Sequence, residues 1–234
     1  MSVAPERIGT RGRGAALAAA RAENAYETVR IELLEGALKP GDKVSVVELA
    51  RQLGCSRVPV MEALKRLEGE GLLEIVPQVG CRIVTPSAAD VADFFILFAG
   101  VESTVTAFAA DRRTAEDIER FRALCESIDT DVGLAGDPAA RDPMYRRLNL
   151  RFHGEIHRMA RSPVASRMAA SLWDRSDFYI KMVFGSLYFS KRVVRSHRDI
   201  RRAVINGDAA AAANAVGEHL KSVGRAVTDH LARD

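Results

Sequence analysis

From Ala22 to Ala37 apolar residues recur at helical spacing. Ala25, Val29 and Leu33 form one stripe, with Tyr26, Ile31 and Leu34 beside it, so an amphipathic helix is predicted. Lys39-Pro40-Gly41-Asp42 ends that helix and turns the chain. Ser45-Val46-Val47-Glu48 has the form of a capping box, Ser45 capping and Glu48 reaching back, and a short helix to about Leu53 should follow. Gly54 suits the left-handed conformation that closes a helix. A second helix is predicted from Ser56 to about Gly69. Pro59 lies in its first turn, where a missing N–H costs little, and Val60, Leu64 and Leu67 share a face. Leu72–Val76 and Arg82–Val84 are β-prone runs on either side of Pro77-Gln78-Val79-Gly80, the pattern of a small hairpin. Two short helices joined by three residues and followed by a hairpin give the order of elements in a winged helix-turn-helix.

Residues 1–20 are rich in Gly, Arg and Ala with no apolar period, and are expected to form a flexible arm. After Thr85-Pro86 the strand signal stops. Helices are predicted at roughly 88–111, 115–134, 141–161, 164–187, 190–206 and 209–232. Their starts and breaks are marked by Ser87-Ala88-Ala89-Asp90, the capping box Thr114–Asp117, Gly136-Asp137-Pro138, Ser162-Pro163 and Asn206-Gly207-Asp208. The fold expectation is therefore mainly α: an arm over 1–20, a winged helix-turn-helix over 21–86, and an all-α six-helix bundle over 87–234.

With 47% hydrophobic and 28% charged residues, the chain has the balance of an ordinary globular protein. Its apolar stretches, such as Val91–Val101, are shorter than a membrane span and contain Asp93. Arg7, Arg11 and Arg13 precede no apolar segment of the signal-peptide kind, so no membrane partner and a cytoplasmic location are expected. Cys55, Cys81 and Cys125 form no CxxC pair and read as small buried hydrophobes. Bulk charge does not announce a nucleic-acid binder. Residues 1–86 hold 12 basic and 11 acidic side chains, against 22 and 20 in the remainder. The excess is local: Arg51, Arg57, Lys65 and Arg66 against the single acid Glu62.

The run Leu33-Leu-Glu-Gly36, Leu38-Lys-Pro-Gly41, Val47-Glu-Leu-Ala50, Leu53-Gly-Cys-Ser-Arg57-Val-Pro-Val60, Glu62-Ala-Leu64, Leu67-Glu68 and Gly71-Leu72 to Gly80 resembles the DNA-binding domain of GntR-family regulators. The second half resembles the FCD domain of the FadR subfamily, on Glu102, on Asn149 with Phe152-His153, on His197-Arg-Asp-Ile-Arg with Ile205 and Gly207-Asp208, and on Ala213 with His219-Leu220. Six helices resemble the VanR group. The resemblance implies a ligand-responsive transcription regulator, a repressor rather than an enzyme. It would bind a palindromic double-stranded DNA operator as a homodimer. The helix from Ser56 would enter the major groove and the wing around Gly80 would approach the minor groove. Ser56 and Arg57 at the helix N-terminus can reach base edges or phosphate. Arg51, Lys65 and Arg66 are phosphate candidates. Val58 and Met61 depart from the family, which usually has Thr and Arg at these positions.

Four of the five histidines lie in suggestive places. Asn149 and His153 are four apart and share a helix face. His197 lies about 14 Å before the Asn206-Gly207 turn and His219 about 18 Å after it, nearly level across an antiparallel pair. Three imidazoles and one oxygen donor make a site for a divalent ion of the zinc, nickel or manganese class. The FCD pattern has Asp where this chain has Asn149. His157 is expected behind the site or at the surface. His153-Gly-Glu-Ile-His157 is not the metalloprotease motif, because Glu155 falls about 200° round the helix from His153. The effector is expected to be an organic acid in a pocket of Phe98, Glu102, Arg175 and Tyr179, although Phe98 stands where FCD domains often carry an acid-binding Arg. Two alternatives stand beside this reading: a ligand-independent DNA-binding protein with a degenerate sensor, and a metal-dependent enzyme fused to a DNA-binding module.

Overall fold

A computed structural model of the chain describes residues 9–77, 80–134, 138–185 and 191–233, divided into two compact units at Thr85/Pro86. The first begins with α1 (Gly9–Glu35), which runs into the segment expected as an arm. Residues 9–20 are helical, correcting the expectation there; residues 1–8 lie outside the described residues. Alanine-rich sequence forms helix on propensity alone, without an apolar face, and Ala16 to Ala20 are indeed exposed. Burial starts at Ala25. From there Ala25, Tyr26, Val29 and Leu33 pack on Val60, Ala63, Leu64 and Leu67 of α3 (Arg57–Gly69), while Ile31 points to solvent. The Tyr26 hydroxyl donates to Glu70 at 2.9 Å and so fastens the end of α3 to α1.

Helix α2 (Val46–Gln52) is capped by Ser45, whose Oγ accepts from the Glu48 N–H at 3.3 Å; the Glu48 carboxylate turns to Arg51 instead of closing the box. Gly54, at φ +60°, makes the turn into α3. Strands β2 (Leu73–Val76) and β3 (Gly80–Ile83) form the expected hairpin, whose tip at 78–79 lies outside the described residues. A third strand was not anticipated. Lys43–Val44, β1, pairs with Arg82 and Cys81 of β3, giving the order β1-β3-β2. Two residues are too few to show alternation. Cys81 and Cys125 are buried as expected, whereas Cys55 is half-exposed.

The second unit consists, among the described residues, of α4 (Ala88–Arg112), α5 (Ala115–Leu134), α6 (Pro138–Ala160), α7 (Pro163–Phe184), α8 (Lys191–Asn206) and α9 (Ala209–Leu231). Capping chemistry sets the starts of α4, α5 and α9. Ser87 and Asp90 form a reciprocal box, Thr114 and Asp117 another, and Asp208 accepts from the Ala211 N–H. Asp117 is more than a cap: Arg120, Arg158 and Arg161 all reach it, tying α5 to the end of α6. Burial pushes its carboxyl up, but hydrogen bonds from Arg158, Thr114 and Arg161 outweigh that and hold it well below the usual carboxylate range.

Helix α4 is the centre of the bundle. It is long and apolar enough to cross a membrane by composition alone, yet its face from Val91 to Ala110 is buried inside the protein and includes Glu102. Its main neighbour is α9, and glycine allows the close approach. A Cβ on Gly217 would lie 2.8 Å from the Ser103 Oγ, and one on Gly224 would lie 2.5 Å from the Phe95 Cβ. Ser103 also donates to the Ala213 carbonyl at 2.9 Å. The turn from α8 into α9 passes through Gly207 at φ +74°, with the Arg113 Nε donating to the Ile205 carbonyl at 3.0 Å. Gly224→Ala, which must displace the root of a buried Phe rather than a flexible tip, is expected to cost about 1–3 kcal/mol. Urea denaturation checks this, and an unchanged midpoint would contradict the α4–α9 approach.

Candidate functional site

The first unit presents the N-terminus of α3 to solvent. Ser56 is its N-cap and makes no side-chain cap bond, so the first-turn N–H groups remain available to an anion. Ser56, Arg57 and Lys65 are exposed on this helix. Arg51, on α2, is 77% exposed and reaches Glu48 only at 3.5 Å, a loose surface pair. Gly80 opens β3 at φ +119°, a conformation that favours glycine at the root of the wing. Arg66 differs. Its guanidinium lies 3.6 Å from the Tyr26 ring centroid, bonds Glu23 at 2.9 Å and approaches Glu70 at 3.4 Å. Its contacts join α3 to α1, and Arg66→Ala is expected to lower the melting temperature more than it lowers DNA affinity.

In the second unit, His153 on α6, His197 on α8 and His219 on α9 converge, each offering a nitrogen within 4.8 Å of the others. The Nε2 atoms of His153 and His197 are 3.3 Å apart. Two imidazole nitrogens at 2.0–2.1 Å from one ion stand roughly 2.8–3.0 Å apart in cis octahedral and about 3.3–3.4 Å apart in tetrahedral geometry, so this spacing, which also suits a hydrogen bond, is compatible with a tetrahedral ligand pair. All three pKa values are depressed, chiefly by burial. Neighbouring imidazoles add to the effect at His153 and His197, and His219 is pushed down to about 4. These imidazoles are therefore neutral at physiological pH, the form that binds a metal.

Of the buried polar atoms without a partner, the Asn149 oxygen is the one that belongs to the expected ligand set. The buried Oδ1 of Asn149, one turn before His153, has no hydrogen-bond partner, and neither do the His153 Nδ1 and the Glu102 Oε2. Such orphans each cost about 1–3 kcal/mol. The donor set therefore fits a divalent cation, which would take the Asn149 oxygen and the three nitrogens.

Behind His153 stands Glu102, fully buried. Its Oε2 lies 3.8 Å from the His153 Nδ1, while its Oε1 accepts from the Trp173 indole N–H and lies against the His157 Nε2, both at 2.8 Å. His157 thus sits behind the cluster, as expected. At 3.8 Å the Glu102 Oε2 makes no hydrogen bond to the His153 Nδ1, so the carboxylate stands behind the ring without fixing its tautomer. On the opposite side the Ser196 Oγ is 2.9 Å from the His219 Nδ1, leaving Nε2 for the cluster. Sequence reading missed Ser196. It immediately precedes His197, so it points elsewhere on α8, and only α9 brings its partner.

The residues expected to line the effector pocket play other parts. Phe98 and Tyr179 have no exposed surface. Phe98 packs edge-on to Trp173, and Tyr179 edge-on to Phe94. The Arg175 Nε donates to the Tyr179 hydroxyl at 2.7 Å. A cleft of about 420 Å³ lies instead between α8 and α9, walled by Arg195, Ser196, Asp199, Asn214, Glu218 and His219 among others, and none of the four is in its wall.

Residues 94–222 match the FCD domain and residues 21–83 match the gntR family of bacterial regulatory proteins. The chain belongs to the GntR family of transcription regulators, with an FCD domain. An HTH-type transcriptional regulator from the ttuE–ttuC' intergenic region of Agrobacterium vitis is 39% identical over 77 residues, covering 33% of this chain and 45% of its own length. The transcriptional repressor RspR of Escherichia coli K12 is 24% identical over 204 residues, 86% of each chain. The solved structure of E. coli McbR/YncC superposes with a TM-score of 0.70 at 19% identity, covering 89% of this chain and 97% of that one, and has the same fold. The protein is thus a DNA-binding regulator and not an enzyme.

The depressed histidines link stability to pH. Unfolded, each titrates near 6.5; folded, each resists protonation. Below about pH 6.5 the unfolded chain takes up protons that the native state refuses, so stability is fullest above that value. It should fall by up to about 1.4 kcal/mol per pH unit for each histidine on acidification toward 4. Melting of chelator-treated protein between pH 7.5 and 5 measures this. A melting temperature independent of pH there would mean that the imidazoles are not buried neutral.

Proposed function

We propose that this regulator is a metal-dependent, effector-responsive repressor that works in the cytoplasm and binds a palindromic operator as a homodimer. The observation that carries the proposal is the convergence of three neutral imidazoles from three helices, with the unpaired Asn149 oxygen one turn before His153 on α6. A zinc, nickel or manganese ion held by Asn149, His153, His197 and His219 leaves coordination positions for water or for the carboxylate of a small organic acid. Bound there, the ion supplies a Lewis-acidic anchor for such an effector. Occupancy would stiffen α6, α8 and α9 together. It controls DNA binding only if the acid binds the DNA-competent and DNA-incompetent arrangements with different affinity.

On the DNA side, Ser56, Arg57 and the first-turn N–H groups of α3 meet the major groove. Arg51 and Lys65 meet phosphate, and the wing at Gly80 approaches the minor groove. Pairing of two copies is supported by α4, where Ile96 is 61% and Leu97 69% exposed on the side away from its buried face. A second reading, a DNA-binding protein with a degenerate sensor, is favoured by two substitutions: a neutral Asn149 in place of the usual carboxylate, and an apolar Phe98 in place of the usual Arg.

The single tryptophan separates the two readings. Trp173 is 5% exposed and its ring centroid lies 4.2 Å from that of His153. Titrating metal-free protein with Ni²⁺ should quench its emission and saturate at one ion per chain, and a chelator should reverse the change. Citrate and other chelating acids should then alter operator affinity of the nickel-loaded protein only. No quenching, with operator binding intact and indifferent to acids, would establish the degenerate sensor. In fluorescence anisotropy Arg57→Ala should weaken operator binding by about 1–3 kcal/mol.

A further inference from the structure

The outward stripe of α3 is unusual for a surface that meets an anionic polymer. Val58, Met61, Glu62 and Lys65 follow at i, i+3, i+4 and i+7, opposite the buried Val60, Ala63, Leu64 and Leu67. Val58 is 66% exposed, the most exposed large apolar side chain among the described residues of the first unit. It stands in the first turn of α3, where a recognition helix meets base edges. Met61 is half-buried beside it and Glu62 exposed. An acid on this stripe would be repelled by phosphate, so the centre of the stripe faces base edges rather than backbone. Nothing in the fold uses the Val58 isopropyl group. In the major groove the one apolar feature of any base pair is the C5 methyl of thymine.

We propose that Val58 is a specificity-determining residue that reads a thymine in each half-site by packing its isopropyl group on the C5 methyl, with Met61 extending the apolar contact. This rests on the reading of α3 as the major-groove helix. Because the contact involves a methyl group and no hydrogen bond, it distinguishes thymine from uracil, which offers identical polar atoms. Burying one methyl-sized group corresponds to about a four-fold change in affinity.

The experiment begins with operators selected from random duplex DNA by the full-length protein, followed by thymine-to-uracil replacement at each position of the half-site. Replacement at one thymine, the same in both half-sites, should weaken wild-type binding about three- to ten-fold per half-site. Val58→Ala should bind the thymine operator that much more weakly and be indifferent to uracil at that position alone. The substituted side chain is exposed, so melting should be unchanged. Half-sites lacking a common thymine, wild-type indifference to uracil at every position, or equal sensitivity of Val58→Ala and wild type would each overturn the proposal. Arg57→Ala tells which premise failed. If it impairs selection while Val58→Ala behaves as wild type, α3 meets DNA but Val58 does not read it. If neither variant matters, α3 is not the groove helix.

Discussion

An imidazole buried among other imidazoles must stay neutral, and a neutral ring with an unpaired nitrogen is costly to bury. The helical unit brings three neutral rings together in one place and leaves the His153 Nδ1 buried without a partner. Much of its architecture serves the arrangement. Gly217 and Gly224 let α9 approach α4 closely, and Arg113 fastens the turn that sets His197 and His219 level. Glu102 stands behind His153 and is itself held by Trp173 and His157. An assembly of this kind has little to recommend it for stability alone, since apolar side chains of similar volume would pack without orphaned atoms. The proposed ion would complete it.

The two units divide the work by chemistry. The first is stabilised by a small apolar seam between α1 and α3, closed by the Tyr26–Arg66–Glu70 group, and keeps the N-terminus of α3 open. Arg66 shows that a basic residue on the exposed side of α3 can be taken up within the fold: an aromatic face and two carboxylates already hold its guanidinium. Arg57, at the open end, is exposed.

Much of this was legible in the chain because it rests on local rules. Capping residues and glycines marked α2, α3, α4, α5 and α9 to within a few residues, and the spacing of His197 and His219 about the Gly207 turn foretold their meeting. Three things were not legible. Strand β1 is too short to carry a period. The helical start of α1 comes from alanine propensity without an amphipathic signal. The partners of Glu102, Ser196 and Asp117 are tertiary, set by helices distant in sequence, and no spacing encodes them. For the same reason Phe98 and Tyr179 read as pocket residues in the sequence but are packed core in the fold.

The central claim is that the His153–His197–His219 cluster exists to hold a divalent ion, and elemental analysis of the purified protein tests it most directly. The account predicts about one equivalent of zinc, nickel or manganese per chain, lost in a folded His153→Ala/His219→Ala double variant. No metal in the wild type, even after incubation with excess ions and removal of the unbound fraction, would contradict it.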